Sequence, residues 1–86
     1  MPGPRRRLPR LTGPELIDLL VKDGWQVERR ARHGARLSKR FPEGTRVTVV
    51  PTRNDPLPIG TLNAVLGPKQ TGLGRDGLLA LLDRDP

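Results

Sequence analysis

WQVERRARHGARLSKRFPEGTRVTVVP, Trp25 to Pro51, is the stretch that decides the fold. Its hydrophobic residues recur every second position in three short runs separated by turn residues, which is the period of a half-buried strand. In the first run Trp25, Val27 and Ala31 fall on one side, and Gln26, Glu28, Arg30 and Arg32 on the other. His33-Gly34 follows, and Gly34 is expected to supply the positive φ of a tight hairpin. In the second run Ala35, Leu37 and Phe41 alternate with Arg36, Ser38 and Arg40. Phe41-Pro42-Glu43-Gly44 then reads as a turn, with proline preset for its second position and glycine near its exit. The third run, Thr45 to Val50, is β-branched at five of six positions, the composition that suits a pleated surface. The stretch predicts three antiparallel strands with one face against a core and a basic face in water.

Upstream, Thr12-Gly13-Pro14-Glu15 has the spacing of a capping box, in which hydroxyl and carboxylate each bind the other residue's amide. Leu11 and Leu16 stand at the staple positions. Leu16, Ile17, Leu19 and Leu20 recur at helical spacing, and Asp23-Gly24 supplies a stop, so a helix is predicted over residues 13–22. Downstream, PTRNDPLP (residues 51–58) is a loop; a second helix starts at Ile59-Gly60-Thr61 and stops at Gly67-Pro68. A last helix runs roughly from Arg75 to Arg84, with Leu78, Leu79 and Leu82 inward. The fold class is therefore α+β, in the order α-β-β-β-α with a short extra C-terminal helix. The helices pack on one face of a three-stranded antiparallel sheet. Residues 1–10, MPGPRRRLPR, hold three prolines and four arginines and read as a disordered basic tail; residues 11–86 form the single domain.

Charge narrows the function. The chain carries +7 over 86 residues, and Arg29, Arg30, Arg32, Arg36, Lys39, Arg40 and Arg46 stand against Glu43 alone between Arg29 and Arg46. A concentration of that kind points to a polyanion, and nucleic acid is the common one. Trp25 and Phe41 are the only aromatic residues, too few for recognition by stacked bases, so binding through the RNA backbone and shape is favoured. Trp25, at a helix-to-strand junction, reads as a core anchor. With no cysteine and one histidine, disulfides and a self-contained zinc site are excluded, and no metal or other cofactor is expected. No apolar run reaches signal-peptide or membrane length, so a cytoplasmic protein without a membrane partner is expected.

Paired carboxylates, a glycine-rich phosphate loop and a cysteine nucleophile are all missing, which leaves one imidazole among guanidinium groups. RNA carries its own nucleophile in the 2′-OH. A cleaving enzyme then needs a base to take that proton and cations for the charge that builds on the phosphate. His33 suits the base, with Arg32, Arg36 or Lys39 as electrostatic partners; the competing reading makes His33 a turn residue before Gly34. The candidate RNA-binding set is Arg29, Arg30, Arg32, Arg36, Ser38, Lys39, Arg40 and Arg46, and the competing reading makes that stripe, Ser38 included, a solvated face.

LPRLTGPELIDLLVKDGWQVERRARHG, then RVTVVP, LPIGTLNAVL and GLGRDGLLALL, in that order, resemble the HicA family of toxins from bacterial and archaeal toxin–antitoxin modules. The resemblance spans Leu8 to about Leu82. It implies a double-stranded-RNA-binding-domain-like fold, metal-independent cleavage of mRNA, neutralisation by a HicB-type antitoxin, and one catalytic histidine near the start of the second strand, usually within Gly-Ser-His. This chain reads Arg32-His33-Gly34 there, so that an ungapped alignment sets Gly34 opposite the family histidine; one indel in the hairpin restores His33 to that role. Gly67-Pro68 also lengthens the connection between the last two helices relative to the family pattern. The resemblance favours a toxin that acts as an mRNA interferase through His33. The alternatives are a non-catalytic RNA-binding module with a degenerate site, and a basic interaction protein for an acidic, antitoxin-like partner.

Overall fold

The computed structural model describes residues 10–84; the basic tail expected at the N-terminus lies, but for Arg10, outside them. The element order is α1 (Gly13–Lys22), β1 (Gln26–Arg30), β2 (Ala35–Phe41), β3 (Gly44–Val50), α2 (Ile59–Leu66) and α3 (Gly74–Arg84). This is the α-β-β-β-α order with the additional C-terminal helix.

The capping box forms as the spacing requires. The Thr12 hydroxyl accepts the Glu15 N–H at 3.3 Å, and the Glu15 carboxylate accepts the Thr12 N–H at 2.9 Å. The Thr12 backbone N–H first, and the Thr12 side chain second, hold the Glu15 carboxyl below its ordinary value because donors to the carboxylate favour its ionised form. At the other end the Asp23 N–H bonds the carbonyls of Leu19 and Leu20, and Gly24 turns the chain with φ of +102°, a conformation that costs a residue with a Cβ. The start of α1 is also pinned from outside. Leu57 N–H donates to the Leu11 carbonyl at 2.7 Å and Thr12 bridges Pro56. Gly13 lies so close to the loop after β3 that a Cβ built on it would sit 1.6 Å from the Pro51 carbonyl oxygen.

The sheet has the order β1-β2-β3, antiparallel throughout. Pairing of Leu37 with Val27 and Thr48, and of Ala35 with Val50, sets one row of side chains toward the helices. Leu37, Ala35 and Val50 are fully buried there with Leu16, Ile17 and Leu20 of α1 and Leu62 and Val65 of α2. At about 1.5–3 kcal/mol for each large aliphatic side chain removed from water, this layer is the main stabilising contribution. Thr48 is buried among these residues because its hydroxyl bonds the Gln70 side chain at 2.6 Å, which satisfies a polar group that would otherwise be costly to bury. Trp25 is 2 % exposed and meets Phe41 edge to face at 6.2 Å, as expected of a core anchor.

Three expectations are corrected by the packing. The alternation of β1 breaks at a bulge: the register passes from Val27↔Leu37 to Arg29↔Arg36, so Glu28 is the extra residue and Arg29 takes the open side while Arg30 pairs with Ala35. Nor does β1 face a core on one side, for all five of its residues are exposed; α1 and α2 pack over β3, at the opposite edge. In α3, Leu78 and Leu81 are buried and Leu79 and Leu82 half-buried, so the helix turns Leu81 inward where Leu79 was expected.

Candidate nucleic-acid interface

The open side of the sheet is built by cross-strand pairs. Gln26 faces Ser38, Arg29 faces Arg36, Arg40 faces Thr45, Ser38 faces Val47 and Arg36 faces Val49. No described helix covers this side, and Val49 remains 56 % exposed on it. Arg29, Arg36 and Arg40 are exposed and give the face three cations in reach of one another across and along neighbouring strands. A guanidinium cannot lose its charge at physiological pH and presents five donors in a fork that fits phosphate oxygens.

Ser38 departs from the solvated strand residue weighed above. It is 8 % exposed, and its hydroxyl donates to the Glu28 carboxylate. Alternation sets Gln26 and Glu28 on this side together, and the bulge leaves Glu28 without a cross-strand partner of its own, beside Ser38. Two shallow grooves meet at this pair. One, of about 470 Å³, is lined by Gln26, Glu28, Ser38, Lys39, Arg40 and Thr45 as well as Gly24; the other, of about 380 Å³, runs toward Arg29, Arg36 and Val47.

Lys39 and Arg46 leave the arginine row. They pair with each other on the helix side of the sheet, where the period of two puts every second residue. Lys39 Nζ donates to the Asp23 carbonyl at 2.5 Å and forms an ion pair with the Asp23 carboxylate at 3.2 Å. Arg46 Nη1 donates to the carbonyls of Pro68 and Gln70 at 2.8 and 3.3 Å. Both cations also lie over the Phe41 ring, at 5.4 and 5.7 Å from its centroid. They fasten the end of α1 and the loop between α2 and α3 to the sheet.

His33 stands in the four-residue connection 31–34, closed by a bond from the Ala31 N–H to the Gly34 carbonyl at 2.9 Å. The Thr52 hydroxyl tethers this loop through the Ala31 and Arg32 carbonyls. Arg32 and His33 are exposed, and the His33 ring makes no hydrogen bond or ion pair among the described residues. Gly34 does not take the positive φ expected of it. A Cβ there would meet Val49 Cγ1 at 3.2 Å, a tight contact with an exposed side chain, and the Val50 carbonyl oxygen at 3.4 Å. The expected site residues therefore divide into Arg29, Arg36, Ser38 and Arg40 on the open face, Arg32 and His33 in the loop at its end, and Arg30, Lys39 and Arg46 on the other side of the sheet, Arg30 exposed there on the edge strand.

Glu28, Gln26, Thr45 and Val47 were missed by reading the sequence. The alternation of β1 already sets Gln26 and Glu28 on the outer side, but neither was counted because the cations alone marked the face. No group of three or more acidic, histidine or cysteine residues able to hold a metal occurs among the described residues.

Compared with known proteins, residues 13–73 match the family model described as the HicA toxin of bacterial toxin–antitoxin systems. No curated protein and no solved structure matches the chain. The matched segment runs from the first residue of α1, through all three strands and α2, to the residue before α3, so it includes the capping helix, the arginine face and the His33 loop. With that much of its length accounted for, the chain belongs to the HicA family of toxins.

Proposed function

We propose that this toxin is an mRNA interferase: the open sheet face holds RNA phosphates, and His33 exchanges protons with the 2′-OH or the leaving oxygen during strand cleavage. Arg29, Arg36 and Arg40 neutralise phosphates along the face, and Arg32 lies beside His33 to stabilise the charge that develops on the scissile phosphate. The 2′-OH is the nucleophile, so the reaction asks of the protein only proton transfer and electrostatic stabilisation. The observation that most supports this reading is the exposed row of three arginines ending at a loop that holds the chain's only histidine. A HicB-type antitoxin is the proposed protein partner, and an acidic surface on it would suit the same face.

The direct test is incubation of the purified chain with a labelled single-stranded RNA in excess chelator. Products carrying 2′,3′-cyclic phosphate or 3′-phosphate ends are expected, because attack by the 2′-OH leaves phosphorus on the 3′ side. Intact RNA under these conditions, with binding preserved, would favour the second reading, an RNA-binding protein that no longer cuts. That reading has one observation in its favour. An ungapped alignment sets Gly34, which carries no side chain, opposite the family histidine.

The division of the cations gives a second test. Arg36→Ala should weaken RNA binding and lower the slope of log affinity against log salt by about 1, as expected for one lost phosphate contact. Arg46→Ala should leave that slope unchanged and instead lower stability by about 1–2 kcal/mol, since two loop carbonyls lose their charged donor. Anisotropy titrations at several salt concentrations and thermal melts of both variants check this.

A further inference from the structure

Glu28 is the one carboxylate among the described residues of a face otherwise built from arginines and neutral side chains. Three arginines share that face, yet none of them forms an ion pair with Glu28; its one hydrogen bond there comes from Ser38. A carboxylate exposed where phosphates are to bind repels them. Its place on an RNA face is explained if it meets a part of the RNA that donates hydrogen bonds, and the bases are where such donors lie. The two grooves that meet at Glu28 and Ser38, of about 470 and 380 Å³, are within the range of small-ligand sites.

Resting on the RNA reading above, we propose that Glu28, held by Ser38, is a specificity residue that accepts hydrogen bonds from an unpaired guanine. An ionised carboxylate has about four acceptor positions on two oxygens. Ser38 occupies one of them, and the remainder includes a side-by-side pair. Guanine is the RNA base that offers two N–H donors side by side, N1–H and the 2-amino group, on its Watson–Crick edge; adenine and cytosine offer an amino group beside an acceptor, and uracil a single N–H between acceptors. Base edges of this kind are read in single-stranded RNA, where they are free of pairing. Gln26 and Arg40, which line the same groove, supply donors for the guanine O6 and for the adjoining phosphate. The serine bond fixes the carboxylate's rotamer before the base arrives, so little side-chain entropy is lost on binding.

The site is separate from the proton-transfer centre. Ser38 and Ala35, the first strand residue after the His33 loop, are three residues apart along β2, about 10 Å at 3.3 Å per residue. That offset along the sheet directs Glu28 to a nucleotide beside the one that is cut.

The experiment measures binding of the full chain to four short single-stranded RNAs that differ at one central position, A, C, G or U, with a non-cleavable 2′-O-methyl group at the scissile nucleotide. The wild type should bind the guanine oligonucleotide about 10-fold or more tightly than the others, a size expected of one bidentate base contact. Glu28→Gln retains an oxygen to accept from Ser38 but replaces the other acceptor by a donor. It should lose the guanine preference while the salt slope stays that of the wild type. Equal affinity of the wild type for all four RNAs, with a normal salt slope, overturns the guanine site and leaves the RNA reading standing. A guanine preference that survives in Glu28→Gln, with an unchanged circular dichroism spectrum, also overturns it. Absence of salt-dependent RNA binding in every case defeats both readings and assigns the face to an acidic protein partner.

Discussion

Replacing His33 with alanine should slow RNA cleavage by about 10²–10⁴-fold, the usual contribution of one general acid–base group. RNA affinity and its salt dependence should stay near the wild-type level, because Arg29, Arg36 and Arg40 carry the phosphate contacts along the face. His33 is exposed, and its loop is held by backbone bonds and by Thr52, none of which the substitution touches. Stability should therefore change by no more than about 0.5 kcal/mol, as for surface positions generally. That separation matters for the interpretation, since a lost activity cannot then be assigned to a lost fold. Single-turnover cleavage of a labelled RNA, followed beside anisotropy and a thermal melt, measures all three quantities on one preparation. In cells, expression of the wild type without its antitoxin should arrest growth and expression of His33→Ala should not. Equal cleavage rates for the two proteins would remove His33 from the chemistry and return it to the role of a turn residue. Arg32→Ala should fall between these results, because it removes electrostatic stabilisation without removing the proton acceptor.

The sequence revealed features that depend on local chemistry. Thr12 and Glu15 cap α1 because that spacing closes two hydrogen bonds within one turn, and the β-branched run of β3 forms the strand it suggested. What stayed hidden depends on pairing across the sheet. The bulge at Glu28 is a difference in register between β1 and β2, and a one-residue change of register moves every later side chain to the opposite face. Arg29 and Arg30 exchange roles for that reason alone. Lys39 and Arg46 counted with the other cations in sequence. Their partners, the Asp23 carbonyl and carboxylate and the carbonyls of Pro68 and Gln70, are 16 to 24 residues away, and no local pattern announces them. Gly34 teaches the same lesson. It was read for a positive φ that it does not take, and its close neighbours are Val49 and Val50 of β3, which the hairpin sequence does not name.

Gly13→Ala should be the most damaging small substitution in the molecule. A Cβ at this position would overlap the Pro51 carbonyl oxygen at 1.6 Å and its carbon at 2.7 Å, and these are backbone atoms that no rotamer change can move aside. Neither side of the contact is free to yield. Gly13 is the first residue of α1, fixed by the Thr12–Glu15 capping box and by the Leu57–Leu11 bond. Pro51 directly follows Val50, which is fully buried against the helices. Relief requires the start of α1 to separate from the end of β3, which opens the core around Leu16 and Ile17. The cost should reach about 3 kcal/mol, the upper part of the usual range for overpacking, and for a domain of this size that lowers the melting temperature by roughly 12–24 °C. Gly60→Ala is the control, since a Cβ there meets nothing within 4 Å and α2 should gain about 0.5–1 kcal/mol from the loss of a helical glycine. Melting curves of the two variants should therefore move in opposite directions. If Gly13→Ala melts with the wild type, the close approach of α1 to Pro51 is wrong, and with it the anchoring of the helix layer that leaves the opposite, arginine-bearing face open.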